Sequence, residues 1–189
     1  MWELENGTIG WIKMKNVNIK FQLGRSEKTK NGFIHKEYEE DYKNSYFPGR
    51  ILLNIGDNDV TGDKYSGQGY FGDYPLVEFM AWLGIMSICE GETLKCWRTD
   101  GPDFILFELI EKNKVMVINY SGGQNGKILN SDIVDIKKLV PEIIKAGDFL
   151  ISHISEKNPQ INEDKDIQRF TDLMDKLKKE WQEYQKQIY

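Results

Sequence analysis

The sequence predicts an α+β fold in a single domain, residues 1–189, with an antiparallel sheet packed around a buried central helix and two helices at the C-terminus. Three observations predict it. The stretch 73–90, DYPLVEFMAWLGIMSICE, carries no charge between Glu78 and Glu90, so a helix here has no face that suits water and belongs inside. On both sides of it lie short apolar stretches bounded by turn residues, as strands are. Beyond residue 138 the periodicity becomes helical. Strands, a helix, strands and two helices, in that order, make α+β rather than a βαβ succession.

The elements follow in chain order. Within residues 1–24, Ile9, Trp11, Val17, Ile19, Phe21 and Leu23 fall at odd positions. That spacing gives two strands with a turn near Lys15-Asn16. Residues 25–49 are polar and charged and predict a loop, with Pro48-Gly49 as a turn. Residues 50–55, RILLNI, make a short strand, and the Gly- and Asp-rich residues 56–72 a long loop. In the central helix Asp73 is the expected N-cap, Pro75 fits the first turn, and Gly91 closes it. The helix is short for a membrane span and has acidic flanks, so no membrane partner is expected.

A meander follows, with strands at 93–98, 104–111 and 115–120 and one more short strand at 127–129. Ser131 or Asp135 opens helical sequence. An interior proline costs about 3 kcal/mol, so the long helix is placed from about residue 138, with Pro141 in its first turn. It stops before Asn158-Pro159. Asn162 is the expected cap of the last helix. There Ile167, Phe170, Met174, Leu177, Trp181, Tyr184 and Ile188 form an a/d seam. Such a seam lies against its own domain or against a second copy; the monomer is the expectation.

Composition narrows the function. The chain has 25 Lys and Arg against 30 Asp and Glu, a net charge of -5 and a pI near 5.2. Nucleic-acid binding needs basic clusters against phosphate, and this balance supplies no such footprint. The two cysteines, Cys89 and Cys96, match neither a disulfide scaffold nor a zinc spacing, and Cys89 is expected as a small core residue of the central helix. MWELENGTIGW has no basic region followed by an apolar run, so a cytoplasmic, reduced protein is expected.

Several stretches imitate chemical motifs. Gly67-x-Gly69-x-x-Gly72 precedes a helix, as in a dinucleotide fingerprint. It stands about ten residues after the preceding strand, and Asp73 places negative charge where a phosphate must sit. Gly126-Lys127 is followed by Ile128, where a P-loop requires Ser or Thr. Asp57-x-Asp59-x-Thr61-Gly62 begins like a calcium loop, but its twelfth position is Gln68 rather than Glu. His35 and His153 are the only histidines, and neither falls in a hydrolase or metal signature. No cofactor, metal site or catalytic residue is expected. The densest chemical patch is Glu37, Tyr38, Glu39, Glu40, Asp41 and Tyr42. Carboxylates interleaved with tyrosines make either a solvated face or a surface for Arg and Lys on a protein partner.

The spacing of GYFGDYPLVEFMAWL, DGPDFILFEL and LVPEIIKAGDFLISHI resembles that of small, mostly uncharacterised bacterial proteins of the immunity-protein type, from polymorphic or contact-dependent toxin systems. The resemblance covers about residues 68–175 and rests on apolar spacing and turns. It implies a non-enzymatic, cytosolic protein that neutralises a cognate toxin, such as a basic nuclease, by masking its site, and it carries over no site residue. Residues 37–42 lie outside it and remain candidates on their own chemistry. The alternative is a cytosolic enzyme or small-ligand protein that uses the Gly-rich loop 56–72.

Overall fold

A computed structural model describes residues 15–61, 74–97, 103–122 and 126–188. The fold is α+β, and among the described residues the antiparallel strands divide among three sheets. β1 (Val17–Leu23) pairs with β4 (Gly49–Ile55), which carries the two-residue β5 (Asn58–Asp59). β2 (Arg25–Thr29) and β3 (Gly32–Lys36) form a hairpin of their own. β6 (Thr93–Trp97), β7 (Phe104–Glu111), β8 (Lys114–Ser121) and β9 (Lys127–Asp135) form a four-stranded meander in sequence order. The candidate strand containing Ile9 and Trp11, the glycines at 67, 69 and 72, and the Asp73 cap lie outside the described residues.

The central helix is shorter than its apolar stretch. α1 runs over Pro75–Trp82 and tightens into a 3₁₀ turn at Leu83–Ser87. Its position is as the sequence predicts. Phe79 meets Phe21 of β1 edge-on at 5.1 Å, and Trp82 meets Phe107 of β7 at 5.3 Å. Cys89 falls past the end of this turn and is exposed, which corrects the expectation of a core thiol. Cys96, on β6, is the buried one.

α2 (Ile136–Lys157) begins two residues earlier than expected, because the Asp135 side chain caps it by accepting from the Lys137 N–H at 2.8 Å. Pro141 therefore sits inside the helix rather than in its first turn. After a 3₁₀ turn at Pro159–Glu163, α3 (Lys165–Ile188) starts from Asp164, not Asn162. Asp164 Oδ1 accepts from the Asp166 N–H at 2.8 Å. Asn162 instead accepts from Ser155. Ile167, Phe170, Met174 and Leu177 of the seam are buried, and Phe170 lies 6.3 Å from Phe79. Gly147 of α2 gives α3 room for this approach, since a Cβ there would stand 2.4 Å from Met174 Sδ.

Residues 25–49 are more ordered than a loop. They hold the β2–β3 hairpin and a 3₁₀ turn at Glu39–Tyr42. Their alternation is nearly all polar, so it left no apolar trace to read. Gly24, at φ +97°, makes the tight passage from β1 into β2, where an added Cβ would strike the Lys36 carbonyl at 2.5 Å.

Candidate partner-binding surface

The run 37–42 follows β3 and turns at once. Asp41 accepts from the Tyr38 N–H at 3.1 Å, and its own N–H donates to the Tyr38 carbonyl at 3.0 Å, which closes the 3₁₀ turn. Arg25 at the start of β2 donates its Nε–H to Asp41 Oδ1 at 2.6 Å. Asp41 is buried, so a carboxylate expected at the surface serves inside as an anchor. Tyr38 is half-buried. Its hydroxyl donates to Glu27, and its ring centroid has Arg25 at 5.4 Å and Lys36 at 4.8 Å.

Tyr42 is 1% exposed and stacks on Phe47 at 5.5 Å. Its hydroxyl donates to Glu37 Oε2 at 2.6 Å. The same oxygen meets His153 Nε2 of α2 at 2.8 Å, with Lys157 at 4.0 Å. Burial pushes the Glu37 carboxyl up, but the bonds from Tyr42 and His153 and the charges of His153 and Lys157 outweigh it and hold it below its ordinary value. Burial, then the Glu37 carboxylate, push the Tyr42 phenol well above its ordinary range. The result is a clasp: Arg25–Asp41 ties the turn to the hairpin, and Glu37–His153 ties it to α2.

Of the six predicted residues, the structure gathers Glu37, Tyr38, Asp41 and Tyr42 into this clasp. Glu39 and Glu40 are left exposed on its outside. Glu40 reaches Arg25 only at 3.8 Å, in an exposed pair of small energetic effect. Sequence reasoning missed His153 as a member and Phe149 beside it. Phe149 stacks on His153 at 5.6 Å and 26° and is 53% exposed. The signal present was their spacing of four on one helix face.

A second surface lies on the outer side of the four-stranded sheet. In register across it stand Trp97, Phe104, Tyr120 and Ile128, with Phe104 stacked on Tyr120 at 4.7 Å and Lys95 Nζ 3.9 Å over Trp97. Near its β9 edge a groove of about 650 Å³ is floored by Ile110, Met116 and Ile133. Its rim charges are paired, Lys15 with Asp132 at 2.7 Å and Lys114 with Glu111 at 2.9 Å.

The calcium-like stretch resolves into turn chemistry as far as Thr61, and Lys127 of the P-loop-like pair opens β9. Asp59 accepts from Thr61, and Thr61 accepts from the Leu53 N–H. Among the described residues no group of three or more His, Cys, Asp or Glu is placed to hold a metal ion. No described helix is long and apolar enough to cross a membrane. Burial, and then the charge of Glu78, push the Cys96 thiol far up, which disfavours the thiolate. No family model, curated protein or solved structure matches this chain.

Proposed function

We propose that this chain is an immunity-type binding protein that neutralises a cognate toxin by covering its active or substrate-binding site. The observation that carries the reading is the clasp. It anchors a short acidic turn from two sides, through Arg25–Asp41 and Glu37–His153, and leaves Glu39 and Glu40 directed to solvent. A fixed anionic ledge meets a basic protein face without first having to be ordered, which lowers the cost of association. The resemblance over residues 68–175 supplies the partner class. A basic nuclease, which must hold phosphate, offers the complementary face.

The test is inhibition. Any toxin whose gene adjoins that of this chain is purified and assayed with and without equimolar protein, and a neighbourhood that encodes none counts against the reading. The proposal expects loss of toxin activity and a stable complex; an unchanged rate with no complex refutes it. A second reading, small-ligand binding, draws on the groove floored by Ile110, Met116 and Ile133, whose volume suits a small ligand. Its distinguishing result is thermal stabilisation by a small molecule that Ile133→Glu abolishes.

A further inference from the structure

We infer that Phe149 is the apolar anchor of the partner interface, seated beside the acidic ledge and fitted to a basic protein face that has an apolar socket ringed by Arg or Lys. The inference rests on the partner-binding reading and names the contact within it. Phe149 lies on the outward side of α2, four residues before His153, with its ring 5.6 Å from the imidazole. His153 is held in turn by Glu37 at 2.8 Å, and Tyr42 approaches it edge-on at 5.9 Å. An exposed phenyl ring is thus backed by a fixed one, and a pre-set aromatic loses little rotamer freedom on binding.

The charges around it set the partner's sign. Glu39 and Glu156 are exposed and have no ion pair among the described residues, and Glu40 has only its long contact with Arg25. Of the nearby cations, Lys145 pairs with Glu142 at 3.4 Å and Lys157 reaches Glu37 only at 4.0 Å, while Lys43, next to Tyr42, is exposed and has no ion pair among the described residues. Asp148, next to Phe149, is paired with Lys178 at 2.7 Å. Glu39, Glu40 and Glu156 outnumber Lys43, so the surplus facing a partner is negative, and a centre that is apolar with a charged rim is how protein interfaces concentrate their affinity.

The experiment measures off-rates of the full chain from the immobilised toxin that the inhibition assay identifies, for wild type, Phe149→Ala, Phe149→Trp and His153→Ala. Phe149→Ala should raise the off-rate by about tenfold or more, as loss of an aromatic anchor does. Phe149→Trp should keep the off-rate near wild type. His153→Ala should raise it by less, since the ring remains but loses its backing. Phe149→Ala should melt like wild type, because the side chain is exposed, and that separates a lost contact from a lost fold. If wild type binds and Phe149→Ala leaves at the same rate, the anchor is refuted and the partner-binding reading stands. If wild type does not bind, both fall. If sedimentation shows a wild-type dimer that Phe149→Ala dissociates, the socket belongs to a second copy and this inference is overturned.

Discussion

Glu37 shows how far a residue's role can lie from its neighbours in sequence. Its run is the densest acidic stretch of the chain, yet its partners come from Tyr42, five residues on, and from α2, more than a hundred residues on. Tyr42→Phe removes the hydroxyl's bond to Glu37 and its 3.5 Å contact with His153 Nε2 and keeps the buried ring, so it should lower stability by about 1–2 kcal/mol. It should also let the Glu37 carboxyl rise toward its ordinary value, because the Tyr42 bond lowers it. Denaturant unfolding and a carboxyl titration by NMR check both parts; an unchanged titration midpoint would show that the bond does not form.

The pH dependence has a definite sign. Glu37 titrates lower folded than unfolded, so its contribution is present above the unfolded value near 4.5 and is lost as pH falls through the folded one. Glu37→Gln should therefore be less stable than wild type at neutral pH, with the gap narrowing as pH falls below the unfolded value near 4.5. A gap independent of pH would contradict the assigned charge. At this scale the sequence showed where ionisable groups are dense. It could not show that Asp41 and Tyr42 turn inward, because Arg25, Phe47 and His153 approach them only in the fold.

At the scale of elements, the central helix was legible because it carries no charge from Phe79 to Cys89; Glu78, 3% exposed in its first turn, is the exception. Leu83, 3% exposed at its tightened end, tests it. Leu83→Asp puts an unpaired charge into the core and should abolish cooperative unfolding. A wild-type melting curve for this variant would contradict the burial.

α2 was misplaced by two residues for a stated reason. The proline penalty argued against an interior Pro141, while the Asp135 cap and the apolar face from Ile136 to Ile154 outweighed it. Pro141 leaves the Lys137 carbonyl without its helical donor. Pro141→Ala should restore that bond and stabilise the protein by about 1–3 kcal/mol; a loss of stability would mean that the ring packs in a way alanine cannot replace. The β2–β3 hairpin was not legible. Its pairs, Arg25 with Lys36 and Glu27 with Ile34, bury too little apolar surface to print a strand pattern.

Over the whole molecule, the α+β class followed from element order, and the order held. The division into three sheets did not follow, because pairing between distant strands leaves no mark in either. The sheets are joined by polar contacts that spacing cannot foresee. Asn119, buried in β8, donates to the Val60 carbonyl at 2.9 Å, and Asn130 of β9 donates to the Asp59 carbonyl at 2.7 Å. The clasp has the same character: it joins a hairpin, a turn and a late helix into one surface. The acidic ledge proposed for the toxin is therefore a property of the assembled fold, and only Glu39 and Glu40 can be reversed in charge without breaking its anchors.

That restriction makes the central claim measurable. Association of the chain with the neighbouring toxin is followed at low and at physiological salt, for wild type and for Glu39→Lys/Glu40→Lys. Electrostatic steering is screened over about 8–10 Å at physiological ionic strength. The double reversal should slow association at least about tenfold at low salt and much less at physiological salt, with an unchanged melting temperature. An on-rate that matches wild type at both salt concentrations would contradict the ledge as the partner's landing face.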